Sequence, residues 1–181
     1  NFIREMKKQK FFENKSGKEI SKKKEVFTFY RARPHKFPKI GCLNSHLNVI
    51  KKYRNSQLYD NILIFEDDAL FLGDINLNDI KPPPVDDWGM LYLGGTVKDI
   101  FDYSAIKENR HWVRMSCYTT HAYMINLKND ALIDEILLAS QFTYEIDSYY
   151  LERIHRKFEV YMTYPMMVIQ REGYSDIERT Q

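Results

Sequence analysis

The sequence predicts an α/β domain whose central sheet is mostly parallel, and three observations predict it. Apolar runs of strand length recur at 62–65, 90–93 and 118–125. Segments of helical spacing separate and follow them, and strands that alternate with helices indicate a parallel sheet. The first run, Ile62-Leu63-Ile64-Phe65, ends in three carboxylates, Glu66-Asp67-Asp68. Open α/β sheets bind ligands beyond the carboxyl ends of their strands.

Taken in order, the chain opens on Phe2-Ile3 and Met6, spaced as in the middle of an amphipathic helix with no visible cap. Residues 13–25 are polar and lysine-rich and read as a mobile loop, and 26–30 have strand composition. Two prolines make 31–39 irregular. A helix follows from Gly41, with Leu43, Leu47, Ile50 and Arg54 on one side. The run at 62–65 is a strand apolar on both faces. Lys81-Pro82-Pro83-Pro84 forces an extended connection. Gly89-Met90-Leu91-Tyr92-Leu93-Gly94-Gly95 is a second buried strand that ends in a glycine turn. A third strand covers 118–125. Residues 127–139 form a helix with Leu127, Ala131, Asp134 and Leu138 at near four-residue steps, and 147–158 form another. Short strands at 160–162 and 166–169 complete a single domain over 1–181.

The length of 181 residues suits one domain with a sizeable core, and 44% hydrophobic with 29% charged residues is ordinary for a globular chain. No stretch approaches the roughly 20 apolar residues of a membrane span. Cys42 and Cys117 form no CxxC pair, so the expectation is a reduced, cytoplasmic setting without a zinc or disulfide framework. Charge is uneven: residues 1–40 carry 13 Lys/Arg against 4 Asp/Glu. Such a flank suits a solvated surface, with peripheral contact to anionic lipid left open. No nucleic-acid module accompanies it. The absence of a Walker loop and of GxGxxG disfavours ATP-driven phosphotransfer and dinucleotide oxidoreduction.

Three adjacent carboxylates repel one another, and a cation between them removes the cost. A divalent ion held by Asp68, helped by Glu66 or Asp67, is therefore the chemistry this segment suggests; a solvated acidic strand end is the plain alternative. Glu66 also suits contact with a ribose or sugar. Gly94 and Gly95 permit close approach of a ligand to the backbone, and a tight turn explains them equally well. Asp147, at a helix start, is a candidate general base or simply a first-turn carboxylate. Gln170 and Ser175-Asp176 lie after the last strand, placed either to return to the metal or to form a polar turn. His121 sits in an apolar strand, where a core histidine is the commoner outcome.

Five ordered segments carry a family resemblance: Ile40-Gly41-Cys42-Leu43-Asn44-Ser45-His46, residues 62–68, residues 88–95, Thr120-His121-Ala122-Tyr123, and Gln170 through Ser175-Asp176-Ile177. Together they resemble family 25 glycosyltransferases, a group that includes lipopolysaccharide glycosyltransferases and is related to collagen galactosyltransferases. The resemblance covers roughly 40–178. It implies a GT-A fold, a UDP-sugar donor (galactose or glucose), a glycan or protein acceptor, and Mn2+ or Mg2+. It further implies that Ser45 and His46 line the nucleotide pocket, where a packed or capping role is the plain alternative for both, and that His121 lies near the sugar. Members of the family begin with a strand and an arginine-containing turn, so the first strand is expected to be missing from this chain or supplied from outside it. A non-catalytic nucleotide-sugar or glycan-binding relative, and a metal-dependent nucleotidyl transferase or phosphoesterase, are the other readings. Oligomeric state is not legible.

Overall fold

The computed structural model describes residues 28–75, 80–83, 85–108, 110–143 and 145–171. The expected opening helix, the 13–25 loop and the question of a first strand fall outside these residues, as does Ser175-Asp176. Of the strand expected at 26–30, the described part, 28–30, is exposed and makes no sheet pairing.

The first described helix, α1 (Pro38–Tyr53), starts earlier than its sequence pattern suggested. Pro38 lies at its first turn, where a missing N–H costs nothing, and Lys51 and Lys52 sit at the negative end of its dipole. Leu43, His46, Leu47 and Ile50 are its buried face, the i, i+3, i+4, i+7 set of an amphipathic helix. Next come β1 (Asn61–Phe65), β2 (Ala69–Phe71), β3 (Trp88–Tyr92), β4 (Thr96–Ile100), α2 (Tyr103–Lys107), β5 (Trp112–Tyr118) and β6 (Ala122–Asn126). The helix α3 (Asp130–Leu138) is capped by Asn129, whose side chain accepts from the Leu132 N–H. It buries Leu132, Ile133 and Ile136, so Ala131, Asp134 and Leu138, spaced along one side, form its outward face. A short α4 (Ile146–Tyr149) runs into a π-helical turn over Tyr150–Ile154, closed by the His155 N–H to Tyr150 O bond of 2.8 Å. The strands β7 (Glu159–Thr163) and β8 (Val168–Gln170) end the described chain.

Among the described residues, six strands form one sheet in the order β1-β6-β3-β7-β5-β4, and β2 pairs with β8 separately. Within the large sheet only β3 and β7 run parallel; β1–β6, β3–β6, β5–β7 and β4–β5 are antiparallel. The expectation of a mostly parallel sheet is therefore corrected to a mixed, largely antiparallel one. A parallel neighbour needs a crossover of roughly a dozen residues or more. Here β4 and β5, absent from the sequence reading, pair antiparallel across the short α2, and β6 inserts antiparallel between β1 and β3.

Alternation along the strands divides the core into two layers. Met90, Tyr92, Tyr123, Ile125, Val160 and Met162 face the helices, packing with Leu47, Ile50, Leu132, Ile133 and Ile136. Leu91, Leu93, Ala122 and Met124 face the β2–β8 pair, with Phe71 and Val168. Trp88 joins this second layer although its parity matches Met90, because the ladder is irregular between them. β1 contributes to both layers as expected, Ile62 and Ile64 to the first and Leu63 and Phe65 to the second. Only Ile62 is fully buried, since β1 lies at the sheet edge among the described residues.

Candidate functional site

The carboxylate triplet leaves β1 as a tight turn, closed by the Ala69 N–H to Glu66 O bond of 3.2 Å, and leads at once into β2. That turn exposes Asp67 and keeps Glu66 and Asp68 half-buried. Beside it runs the segment that enters β6, and the Glu66 N–H donates to His121 O at 2.9 Å.

Glu66 is gripped through one oxygen. Its Oε1 accepts from Thr120 Oγ1 at 2.6 Å and lies 3.2 Å from His46 Nε2. Burial alone would raise its pKa, but hydrogen bonding and charge from His46, with the Thr120 hydroxyl, hold it below the ordinary value. His46, on the buried face of α1, shows the reciprocal balance. Burial pulls its pKa down, yet Cys42 and Glu66 together lift it to about 9. Its other nitrogen, Nδ1, lies 2.7 Å from the Tyr123 hydroxyl.

Asp68 has a different environment. Its Oδ2 accepts from Gln170 Nε2 at 2.8 Å, and its carbonyl accepts from the Arg171 N–H at 2.8 Å, so the β2–β8 pairing brings Gln170 to it. Burial raises the Asp68 pKa; the Gln170 bond opposes this, and the charges of Glu66 and Asp67 add to it. Its Oδ1 is buried and has no partner among the described residues. His121 is also buried, and desolvation lowers its pKa despite the nearby Val168 carbonyl, Glu66 and Asp68. Its Nε2 is 3.5 Å from Val168 O, at the limit of a hydrogen bond, and its Nδ1 has no partner.

Asp147 reaches the same region from α4. Its Oδ1 accepts from the Ser148 N–H at 2.7 Å, while its Oδ2 accepts from the Thr119 N–H at 3.3 Å. Thr119 has φ of 72°, the left-handed region, and its buried Oγ1 is unpartnered. Asp68 Oδ1, Thr119 Oγ1 and His121 Nδ1 are the buried side-chain polar atoms lacking a partner among the described residues. All three lie at the mouth of β1 and β6, where such atoms are costly unless a ligand, ion or water meets them.

Glu66, Asp68, His46, His121, Gln170 and Asp147 thus gather at one end of the sheet. The Ser45 hydroxyl instead donates to Gly41 O at 2.8 Å, within its own helix. Gly94 and Gly95 have packing reasons of their own. A Cβ on Gly94 would stand 1.7 Å from Val168 O, and one on Gly95 would meet Cys117 Sγ and Tyr118 O at 3.0 Å. Thr120, Thr119, Tyr123 and Cys42 were not singled out from sequence. Cys42, Thr120 and Tyr123 stand inside the quoted motifs, and Cys42 and His46 share one helix face at four-residue spacing.

No curated protein matches the chain. A family model described as glycosyltransferase family 25 (LPS biosynthesis protein) matches residues 2–158. The match begins well before the motif-bearing stretch and ends before β7 and β8, so Gln170 lies beyond it. It covers most of the 181 residues and includes the carboxylate triplet, His46, His121 and Asp147. The chain belongs to glycosyltransferase family 25.

Proposed function

We propose that this chain transfers a hexose, galactose or glucose, from a UDP-sugar to a hydroxyl of a glycan or protein acceptor. The observation that carries the reading is the set of unpartnered buried polar atoms on Asp68, Thr119 and His121 at the strand-end mouth. They are positioned as open valences for a polar ligand and a cation. On this reading the α/β core is of GT-A type with a mixed sheet.

Asp68 fits a hard divalent ion such as Mn2+ or Mg2+: one oxygen is free and buried, the other is steadied by Gln170, and the surrounding carboxylates favour positive charge. Such an ion, when bound, neutralises the departing diphosphate. Asp147 accepts the proton of the acceptor hydroxyl as that oxygen bonds to the sugar's anomeric carbon and the bond from this carbon to the diphosphate breaks. His121, with its pKa lowered by burial, offers Nδ1 to the donor sugar or phosphate as an uncharged group. Glu66, already bound to Thr120 and His46, acts as a fixed negative charge that shapes the donor pocket. Asp67 is exposed and free to meet the nucleotide. No helix among the described residues is long and apolar enough to cross a membrane.

The test is Mn2+-dependent transfer and hydrolysis across a panel of UDP-sugars, on the wild type and on Asp68→Asn. Turnover is expected to fall about 100-fold or more in the variant, because leaving-group charge goes uncompensated. Stability should stay within about 1 kcal/mol, since Asn retains one acceptor oxygen. Donor binding without turnover in the wild type would assign the chain to the non-catalytic class, and phosphate release without free sugar would assign it to phosphoester chemistry. An unchanged manganese dependence in the folded variant would remove Asp68 from the site.

A further inference from the structure

Helix α1 and the end of β1 bring together three groups that the proposed transfer does not use as metal ligands: Cys42, His46 and Glu66. Their ligand atoms all lie within 4.8 Å of one another. Cys42 and His46 project from successive turns of one helix face, and Glu66 meets them from the strand. We infer that Cys42, His46 and Glu66 form a zinc-class metal site, separate from the hard-cation position at Asp68.

The distances suit that metal. Ligands about 2.0–2.3 Å from a tetrahedral zinc stand about 3.3–3.8 Å apart. His46 Nε2 and Glu66 Oε1 are already 3.2 Å apart. The widest separation in the trio has to close by about an ångström, which a small rotation of the half-buried Cys42 side chain supplies. Two of the ligands also have the outer partners that metal ligands characteristically keep. His46 Nδ1 is held 2.7 Å from the Tyr123 hydroxyl, leaving Nε2 toward the cluster. Glu66 Oε1 takes the Thr120 hydroxyl at 2.6 Å. A thiolate and an imidazole select Zn2+ over Mg2+ or Mn2+, whereas Asp68 offers oxygen alone. Three protein ligands leave a fourth position open, and the partial exposure of Cys42 and Glu66 gives an entry path. Without a metal, the same groups make a His46–Glu66 ion pair with the Cys42 sulfur beside His46; the two states differ in whether sulfur binds a metal.

The 181-residue chain, stripped with a chelator, is titrated with Co2+ alone in the absence of any nucleotide sugar. One equivalent is expected to bind with a thiolate-to-cobalt charge-transfer band and tetrahedral d–d absorption, and equimolar Zn2+ should bleach both. Cys42→Ser should abolish the charge-transfer band and weaken binding at least tenfold, while Asp68→Asn should leave the spectrum unchanged. Zn2+ should also raise the thermal midpoint of wild type and not of Cys42→Ser, a near-isosteric change at a half-buried position. Cys117 is no alternative sulfur, because burial in the core pushes its thiol pKa well up. No stoichiometric binding, cobalt bound without the thiolate band, or a band that survives Cys42→Ser or vanishes in Asp68→Asn would overturn the site. None of these readouts depends on whether the chain turns over a sugar donor.

Discussion

When no metal is present, Cys42 and Glu66 hold His46 in its charged form and His46 holds Glu66 in its own, and this stabilisation therefore has a pH window. The folded pKa of His46, about 9, lies above its ordinary 6.5. Its share of stability is complete below pH 6.5 and is lost as pH rises through 9. Glu66 is lowered from 4.5, so its share is present above 4.5 and is lost as pH falls through the lower folded value. The pair thus contributes most between about pH 4.5 and 6.5. In metal-stripped protein, urea unfolding should show stability falling from pH 6.5 to above 9, relative to Glu66→Gln. The difference is at most about 3 kcal/mol, less whatever water screens at the partly exposed carboxylate. The Gln variant removes the Glu66 share of the lift on His46 and leaves the Cys42 share, so its profile should fall less steeply over that range. A wild-type profile no steeper than the variant's would show that Glu66 does not hold His46 in its charged form.

At the level of elements, the end of β3 shows how sequence and packing divide the explanation. Leu93, just past β3, receives the N–H groups of Met167 and Val168 on its carbonyl, at 2.8 and 3.1 Å. That contact presses Gly94 against the start of β8, where a Cβ would fall 1.7 Å from the Val168 carbonyl oxygen. Backbone cannot yield as a side chain tip can, so Gly94→Ala should cost at least about 3 kcal/mol in denaturant unfolding. A loss below about 1 kcal/mol would mean that the β3–β8 junction is slack. The strands β1, β3 and β6 were legible because each is an unbroken apolar run. β4, Thr-Val-Lys-Asp-Ile, was not, because it is mostly exposed and is held by pairing with β5 rather than by burying side chains. β5, with Val113, Met115 and Cys117 inward, was missed as well, because Arg114 and Ser116 break its apolar run, and the sheet's direction of pairing was not readable. Of the candidate site, Asp68, His121 and Asp147 could be singled out from residue type and motif. The grip of Thr120 on Glu66 and of Tyr123 on His46 could not, since these contacts join residues 54 and 77 positions apart.

Across the whole molecule, the helix-facing half of the core is threaded by a polar seam that ends at the site. His46 Nδ1 meets the Tyr123 hydroxyl at 2.7 Å, which lies 3.4 Å from the Tyr150 hydroxyl in the π-helical turn. The Tyr123 ring stacks on Tyr92, whose hydroxyl is 3.0 Å from His155 Nε2. Burial lowers the pKa of His155 to about 4, which leaves it neutral, whereas His46 is charged. With both ring nitrogens of His46 donating, Tyr123 must accept from it and turn its own hydrogen toward Tyr150. In this arrangement the hydroxyl cannot be removed cheaply: Tyr123→Phe leaves a buried, charged N–H without an acceptor and should cost about 1–3 kcal/mol. The loss should depend on His46. In a double-mutant cycle, Tyr123→Phe combined with His46→Gln should show a coupling of at least about 1 kcal/mol. Tyr123→Phe combined with Phe71→Leu, on the opposite face of the sheet, should be additive within about 0.5 kcal/mol. The comparison is informative because both second sites are buried, so general loosening of the core would couple to each alike. Additivity in both cycles would reduce the seam to aromatic packing. Coupling confined to the His46 cycle would show that the order of the core and the orientation of the Glu66 carboxylate are set by one hydrogen-bonded unit.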